Sequence, residues 1–419
     1  MTSTPSSPFR FAPLWLALVG LLLFLPGTNL APLIDRDEPR FAQATREMMQ
    51  RHEWVVPYFN NEYRFDKPVL IYWMMRPFYA LFGANELTAR MPSVLSAILL
   101  AWIMFWMGRR WFSARTGFFA AFGLLTCLQL LMHARSAVAD MPMVAMVVLA
   151  QWAAWELIQV QGPEEAYPWG WFWALYVSLG VGFLAKGPVT FVVPLLTFLI
   201  FRIALWRKPV RWSRLKLVPG LAVMLGIIGA WGLPALAKTT GEFWTVGMKS
   251  HVYERGLQTF QGHGAFFLYY VVMSLVSLFP WIAFAGDGTI HLKRNWNEKN
   301  AFLCSWLLGT YLLFSFYMTK LPHYVMPAFP AFFLILAQTA GTESVPARPL
   351  WSRIFFGAAL SVLSLVALAA FAGAFLIPFE PAYTSLYFAM IGGASIVLAL
   401  AALALLWRSG HARRMVLPL

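Results

Sequence analysis

The charged side chains that could do chemistry are concentrated in one short stretch near the beginning of the chain. The run Asp35-Arg36-Asp37-Glu38-Pro39-Arg40 places three carboxylates and two guanidinium groups within six residues. A carboxylate whose pKa is tuned by burial or by its neighbours can act as a general base toward a hydroxyl group. Charged loop residues are also often only solvated. The run therefore leaves open a solvated loop with local ion pairs or a catalytic site at Asp37 and Glu38.

Basic and hydrogen-bonding side chains recur at the ends of later apolar segments. A lysine can bind a phosphate as a point charge, and an ionisable residue between membrane spans is by default a candidate functional residue. Asp66 would then position Lys67 or a sugar hydroxyl group. Arg135 and Asp140 flank a further segment end without a defined role. The candidate residues for a site that binds a phosphate or a sugar are Arg40, Asp66, Lys67, Lys186, His251, Arg255, His263, Lys320, His323 and Tyr324.

The histidines raise the question of a metal ion. The segment 238–264 contains His251, Glu254 and His263, but their irregular spacing matches no zinc signature. A cationic lining for a phosphate is the better interpretation of this segment. Asp37, Glu38 and His251 stay weak candidates for metal ligands, so no cofactor is certain and a divalent metal ion is left open.

The elements that must position these residues are membrane-spanning helices. The chain is 60% hydrophobic and only 12% charged, whereas soluble domains carry about 25% charged residues. A transmembrane helix needs about 20 mostly apolar residues, and we read about twelve such segments. They lie near 11–30, 87–108, 116–133, 141–160, 169–186, 188–206, 217–237, 265–285, 301–318, 323–340, 354–377 and 385–407.

The distribution of lysine and arginine predicts the orientation of these helices. Short loops rich in basic residues face the cytoplasm, which places both termini inside and the loops 31–86, 134–140, 238–264 and 319–322 outside. The net charge of +14 then reflects loops facing anionic lipid rather than a nucleic-acid partner. The first outer loop is too long for a simple connector, and residues 39–50 predict an amphipathic helix in the membrane interface. Trp54, Tyr58, Tyr72 and Trp73 are candidates for anchoring this loop at headgroup level.

Several of these residues form motifs that resemble a known family. The first outer loop resembles that of the bacterial ArnT-like glycosyltransferases, which belong with the protein O-mannosyltransferases in the GT-C class of membrane enzymes. The resemblance rests there on Asp37-Glu38-Pro39-Arg40-Phe41-Ala42, Arg46-Glu47-Met48 and Trp54-Val55-Val56-Pro57. It continues, over residues 10 to 340, with Phe65-Asp66-Lys67-Pro68, Ala185-Lys186-Gly187-Pro188, His251, Arg255, His263 and Lys320-Leu321-Pro322-His323-Tyr324. The family more often has glutamate where this chain has Asp66.

The resemblance implies an all-α polytopic GT-C fold and a sugar donor linked to a polyprenyl phosphate, such as undecaprenyl phosphate. Asp37 would be the catalytic carboxylate of an inverting transfer, with Glu38 as a secondary candidate for positioning the acceptor. Lys67, Lys186, Arg255 and Lys320 would hold the donor phosphate. The remaining candidates would hydrogen-bond the sugar or the phosphate. The absence of a P-loop and of a glycine-rich dinucleotide motif is consistent with a donor that contains no nucleotide.

The resemblance also leaves alternatives open. We expect residues 1–419 to form a single transmembrane domain in a bacterial inner membrane, without the soluble C-terminal domain of ArnT proper. The acceptor can therefore be lipid A, another glycolipid, a glycan or a protein. The rival interpretation is a flippase for a polyprenyl-linked sugar, which predicts charged residues on both faces and paired half-repeats. The polar residues instead favour one face.

Overall fold

The computed structural model describes residues 9–34, 37–159, 167–206, 211–247 and 266–341, together with the single positions 357, 358, 361 and 365. The predicted spans 354–377 and 385–407 lie outside these residues, apart from those four positions. His251, Arg255 and His263 also lie outside the described residues.

The described chain is helical apart from one short hairpin. Its helices are α1 (Ala12–Phe24), α2 (Asp37–Gln50), α3 (Leu70–Phe82), α4 (Glu86–Trp111), α5 (Ala114–Thr126), α6 (Leu128–Ala134), α7 (Asp140–Gln159), α8 (Trp169–Lys186), α9 (Val189–Ile200), α10 (Leu217–Lys238), α11 (Tyr269–Ser277), α12 (Ala285–Arg294), α13 (Glu298–Phe316) and α14 (Phe329–Ala337). A π-helical turn, Phe201–Leu205, extends α9. Shorter 3-10 helices are Trp212–Leu215, Trp281–Phe284, Pro322–Ala328 and Gln338–Gly341. The hairpin pairs β1 (Tyr58–Phe59) with β2 (Glu62–Tyr63).

Each apolar segment predicted between residues 11 and 340 coincides with a helix or with a broken helix. Three described helical segments are long and apolar enough to cross a membrane, namely Glu86–Trp111, Asp140–Gln159 and Trp212–Lys238, and the number rises to 5 if each of two bent pairs is one span. Further apolar helices are shorter, such as Ala12–Phe24 and Val189–Leu205. The helical fold is therefore as predicted, while the count of about twelve spans stays a prediction.

Two predicted spans are not single helices. The segment 116–133 divides into α5 and α6, which are bent by 68°, and the segment 265–285 contains a bend of 109° between Tyr269–Ser277 and Trp281–Arg294. At the second bend Pro280 has no N–H to donate, and the helical conformation is disfavoured for the residue before a proline. Apolar composition alone does not reveal such breaks, because both halves remain hydrophobic.

The first long loop folds into α2, the hairpin and α3. Asp37 and Glu38 lie in the first turn of α2, where carboxylates interact favourably with the positive end of the helix dipole. The hairpin turns at Asn60 and Asn61, whose φ angles of 55° and 68° suit a two-residue turn. Glu47 of α2 accepts hydrogen bonds from both of these backbone N–H groups, at 2.9 and 3.1 Å. These two hydrogen bonds attach the hairpin to α2.

Apolar packing joins this loop to the helices beneath it. A cluster of buried side chains includes Phe41 of α2, Tyr72 of α3 and Trp231 of α10. Trp231 also donates a hydrogen bond from Nε1 to the carbonyl oxygen of Val55, at 2.8 Å. Tyr72, predicted as a headgroup anchor, is instead completely buried, because α3 turns this side chain toward α2.

Candidate functional site

A buried ion pair fixes the N-terminal turn of α2. Arg90 of α4 donates from Nε and Nη2 to the two carboxylate oxygens of Glu38, each at 2.9 Å. The backbone N–H groups of Ile34 and Ala137 donate to the same carboxylate at 2.8 and 2.6 Å. Glu38 is 4% exposed and Arg90 is 2% exposed, so the pair is removed from solvent with its carboxylate engaged by four donors.

The guanidinium group of Arg90 also organises the chain that leads into α2. Its remaining donors reach the carbonyl oxygens of Thr28, Ala31 and Pro32, at 2.5 to 2.8 Å. A buried ion pair is tolerated when further hydrogen bonds satisfy both partners, and that condition is met here. The geometry suits Glu38 to positioning its neighbour Asp37, because its own oxygen atoms are occupied.

Asp37 is the exposed carboxylate beside this anchor. The pKa of Tyr72 is raised to about 12, mainly because the side chain is buried. The negative charge of Asp37 makes a smaller contribution in the same direction. The Tyr72 hydroxyl accepts a hydrogen bond from Nε of Arg64 at 3.1 Å. Arg64 in turn pairs with Asp66 at 2.9 Å. Arg64 therefore joins Tyr72 to the Asp66-Lys67 segment through polar contacts.

A cavity of about 180 Å³ lies beside this segment. Asp66, Lys67, Lys186 and Tyr324 supply its charged and hydrogen-bonding lining. Its other walls are mostly apolar and come from Phe65, Pro68, Met143, Gly187, Pro188, Val189, Val192, Phe243, Gly247, Leu313, Phe314 and Tyr317. Two lysine side chains in the lining of a mostly apolar cavity can bind a ligand that carries both a phosphate and a hydrocarbon chain.

The break between α8 and α9 holds Lys186 at this cavity. Helix α8 ends at Lys186, and Gly187 follows with a φ of 73° and a ψ of −148°, a conformation that is essentially restricted to glycine. Pro188 then precedes α9, in keeping with the preference for proline at helix starts. The lysine is therefore presented from a rigid corner rather than from a free loop.

Asp140 is the partner of Lys186. It is the first residue of α7, and its Oδ1 atom lies within hydrogen-bonding distance of the Lys186 ammonium group. His323 approaches the same oxygen with Nε2 at 3.7 Å. The ammonium group of Lys186 also lies 5.4 Å from the centre of the Tyr324 ring. Lys186 therefore has both a carboxylate and an aromatic face beside it.

The structure does not place every predicted residue at the cavity. Lys320 is buried and donates to the carbonyl oxygen of Tyr317 at 2.5 Å, and burial lowers its pKa. Asp37, Glu38, Arg40 and Lys320 are absent from the cavity lining. Asp66, Lys67, Lys186 and Tyr324 line it together. His323 is not part of this lining, but the centre of its ring lies 5.0 Å from that of Tyr324.

Two partners that sequence reasoning did not assign are Arg90 and Asp140. A charged residue within a predicted span is costly and marks a functional or structural role. Arg90 lies inside the segment 87–108 and Asp140 at the edge of the segment 141–160, so this signal was present for both. The described side chains that could hold a metal ion are His133, Asp140 and His323, a different set from Asp37, Glu38 and His251.

Known proteins resemble this chain in sequence and in fold. The sequence model of the family described as dolichyl-phosphate-mannose-protein mannosyltransferase matches residues 66–231. An undecaprenyl phosphate-alpha-4-amino-4-deoxy-L-arabinose arabinosyl transferase of Enterobacter sp. (strain 638) is 30% identical, over 83% of this chain and 63% of the relative. The enzyme of the same name from Erwinia tasmaniensis is 29% identical, over 86% of this chain and 65% of the relative.

The structural likeness agrees with the sequence likeness. The crystal structure of ArnT from Cupriavidus metallidurans bound to undecaprenyl phosphate has a TM-score of 0.78 and 22% identity, and the match covers 96% of this chain and 74% of that chain. The fold is that of the GT-C membrane glycosyltransferases. Within that class, the chain is similar to the ArnT enzymes in both sequence and structure. It spans 63 to 65% of the length of these two curated relatives.

Proposed function

We propose that this protein is a glycosyltransferase that moves a sugar from a polyprenyl phosphate to an acceptor at the predicted outer face of the membrane. The observation that carries the proposal is a cavity whose lining combines Lys67 and Lys186 with mostly apolar side chains. The names of the relatives support it, because they specify an undecaprenyl phosphate-linked aminoarabinose as the donor. Lipid A, another glycolipid, a glycan and a protein remain the acceptors to be distinguished.

The cavity suits the donor's charged and apolar parts. Lys67 and Lys186 would neutralise the phosphate, while the valine and aromatic walls would contact the first prenyl units. When the bond between the anomeric carbon and the phosphate oxygen breaks, negative charge develops on the leaving phosphate. Fixed ammonium groups stabilise such a charge most strongly in a site that is shielded from water.

Asp37 is the proposed base for an acceptor hydroxyl group. The acceptor oxygen attacks the anomeric carbon with inversion as its proton passes to the Asp37 carboxylate. Glu38 and Arg90 hold the helix turn that carries Asp37 but take no part in proton transfer. With a phosphate acceptor, which is largely deprotonated at neutral pH, Asp37 would orient the acceptor instead.

A transfer assay tests this proposal. The purified protein in lipid nanodiscs would receive radiolabelled undecaprenyl-phosphate sugar and a membrane extract, with Asp37→Asn compared against Glu62→Gln. Glu62 is an exposed carboxylate in the same loop, so it controls for a loss of charge. We expect transfer to fall by about 10²-fold or more with Asp37→Asn and to be unchanged with Glu62→Gln.

The same purified protein, reconstituted into sealed vesicles, distinguishes the rival function. In these vesicles, movement of label across the bilayer without formation of a labelled product, for every lipid donor supplied, would establish a flippase and refute the transferase. Equal transfer by the wild type and Asp37→Asn would leave a transferase but remove Asp37 from its centre. The labelled product would identify the acceptor.

A further inference from the structure

Three side chains with metal-binding atoms converge from separate elements beside the cavity. His133 comes from the last turn of α6, Asp140 from the start of α7 and His323 from the 3-10 helix Pro322–Ala328. One ligand atom from each lies within 4.8 Å of the others. The centres of the two imidazole rings are 4.9 Å apart. These distances bring all three ligands around one point.

The donor set has a clear chemical preference. Two imidazoles and one carboxylate form the three-ligand set of open zinc sites, whose fourth position takes water or another ligand. Imidazole nitrogen favours zinc, cobalt, nickel and copper over magnesium and calcium, which prefer oxygen ligands. A tetrahedral ion with bonds near 2.0–2.1 Å brings its ligand atoms to roughly 3.3 Å from one another. The ligand atoms now lie within 4.8 Å of one another, so side-chain rotations that bring them closer by up to about 1.5 Å give this geometry.

Gln129 orients one of the two imidazoles. Nδ1 of His133 lies 3.1 Å from the main-chain carbonyl oxygen of Gln129 and 3.0 Å from its side-chain amide nitrogen. When Nδ1 carries the proton, it donates to this carbonyl, and the lone pair is then on Nε2. Metal-binding histidines are commonly held in this way, with the second ring nitrogen donating to a carbonyl or carboxylate oxygen.

Lys186 is the natural competitor for the ion. Its ammonium group pairs with Asp140 in the structure, and a divalent ion at the same carboxylate would repel it. The ammonium group already lies 5.4 Å from the centre of the Tyr324 ring, so a cation–π contact with this ring can hold it once it leaves the carboxylate. The carboxylate can therefore pass from the lysine to an ion without leaving the lysine unpartnered.

We propose that His133, Asp140 and His323 form a binding site for a divalent transition-metal ion of the zinc type, which exchanges with Lys186 for the Asp140 carboxylate. The site goes beyond the proposed sugar transfer and does not depend on it. Because the ion and the ammonium group compete, loss of the lysine charge strengthens metal binding. An adventitious surface site would not respond to Lys186 in this way.

Metal titration of the full-length protein tests the proposal. The protein, freed of its affinity tag and treated with a chelator, would be titrated with Zn²⁺ by calorimetry and with Co²⁺ by visible absorption. We expect one equivalent to bind to the wild type. Binding weakens by at least about tenfold in His133→Gln and in His323→Gln, and the Co²⁺ bands of the site disappear. His291→Gln is the matched control, because His291 lies on α12 and contacts Gln338, not the cluster.

A second variant separates a loss of ligands from a loss of folding. In Lys186→Met the three ligands remain, and Zn²⁺ binds about tenfold more tightly as the competing charge disappears. Each variant must elute from size exclusion as the wild type does. The proposal is overturned if the double variant His133→Gln/His323→Gln binds as much metal as the wild type, or if Lys186→Met leaves the affinity unchanged.

Discussion

Glu38 and Asp140 are both buried carboxylates paired with a cation, but the two pairs are built differently. Glu38 receives two bonds from the planar fork of Arg90 and two from backbone N–H groups. Asp140 is paired with Lys186, an ammonium group on a flexible stem, and has His323 Nε2 at 3.7 Å. An arginine fork holds one geometry, whereas a lysine is a mobile point charge.

The difference follows the position of each pair in the fold. Glu38 and Arg90 are buried against the segment that precedes α2, and they are not accessible to a ligand from solvent. Lys186, by contrast, lines the cavity and can exchange partners there. The first pair therefore fixes the loop that carries Asp37, and the second can respond to a bound phosphate or to a metal ion.

The largest expected effect comes from breaking the enclosed pair. Arg90→Met leaves the Glu38 carboxylate buried without its cation, which typically costs about 3–5 kcal/mol. We expect the free energy of unfolding, measured by denaturant titration in detergent, to fall by that amount. Arg109→Met is the control, because Arg109 is exposed. Equal stability of the two variants would show that the Glu38–Arg90 pair does not hold the loop.

Breaking the pair of Asp140 with Lys186 should lower the free energy of unfolding less than Arg90→Met does, but it should weaken donor binding. In Asp140→Asn, Lys186 loses its carboxylate but keeps access to the cavity and to Tyr324, so we expect a loss of about 1–3 kcal/mol. The apparent KM for the polyprenyl donor should rise, because Lys186 is no longer held in place. Gln151→Leu, a change in the buried interior of α7, serves as the comparison. A stability loss as large as that of Arg90→Met would remove the distinction between the pairs.

The positions of the helices were predictable because apolar runs and terminal residues are local features. The start of α2 follows from Asp37, Glu38 and Pro39, and the corner at Lys186 follows from Gly187 and Pro188. Local sequence also indicated Lys67, Lys186 and Tyr324 as cations and hydrogen-bonding groups near segment ends. The side chains can share one cavity because the segment ends that carry them were predicted to lie on the same side of the membrane.

The pairings were not predictable from the sequence, because they join distant parts of the chain. Glu38 and Arg90 are 52 residues apart, and Asp140 and Lys186 are 46 residues apart. Tyr72 shows a second limit, since an aromatic residue in an interfacial loop suits both membrane anchoring and packing. Its contact with Phe41, at 5.6 Å between ring centres, is decided by how α3 folds back on α2.

The smallest expected effect concerns a third pair, Glu53 with Lys238. Of the three pairs compared, this one is the most exposed to solvent. Burial alone would raise the pKa of Glu53, but hydrogen bonds from Lys238 and from two backbone N–H groups outweigh it and lower the pKa below 4.5. Stability from this carboxylate is therefore fully present above the unfolded-state pKa and is lost as the pH falls through the lower folded-state pKa. Because Lys238 is 49% exposed, its contribution should stay below about 1 kcal/mol.

Unfolding titrations of the wild type and Lys238→Met between pH 7 and the acid limit of folding measure this contribution. We expect the wild type to be slightly more stable at neutral pH and the difference to shrink below pH 4.5, the ordinary value for a glutamate, as Glu53 becomes protonated. High salt should reduce the difference at neutral pH, since exposed charges are screened. A stability loss in Lys238→Met that exceeds the loss in Asp140→Asn, or one that grows as the pH falls, would contradict the expectation that the more buried pairs contribute more stability.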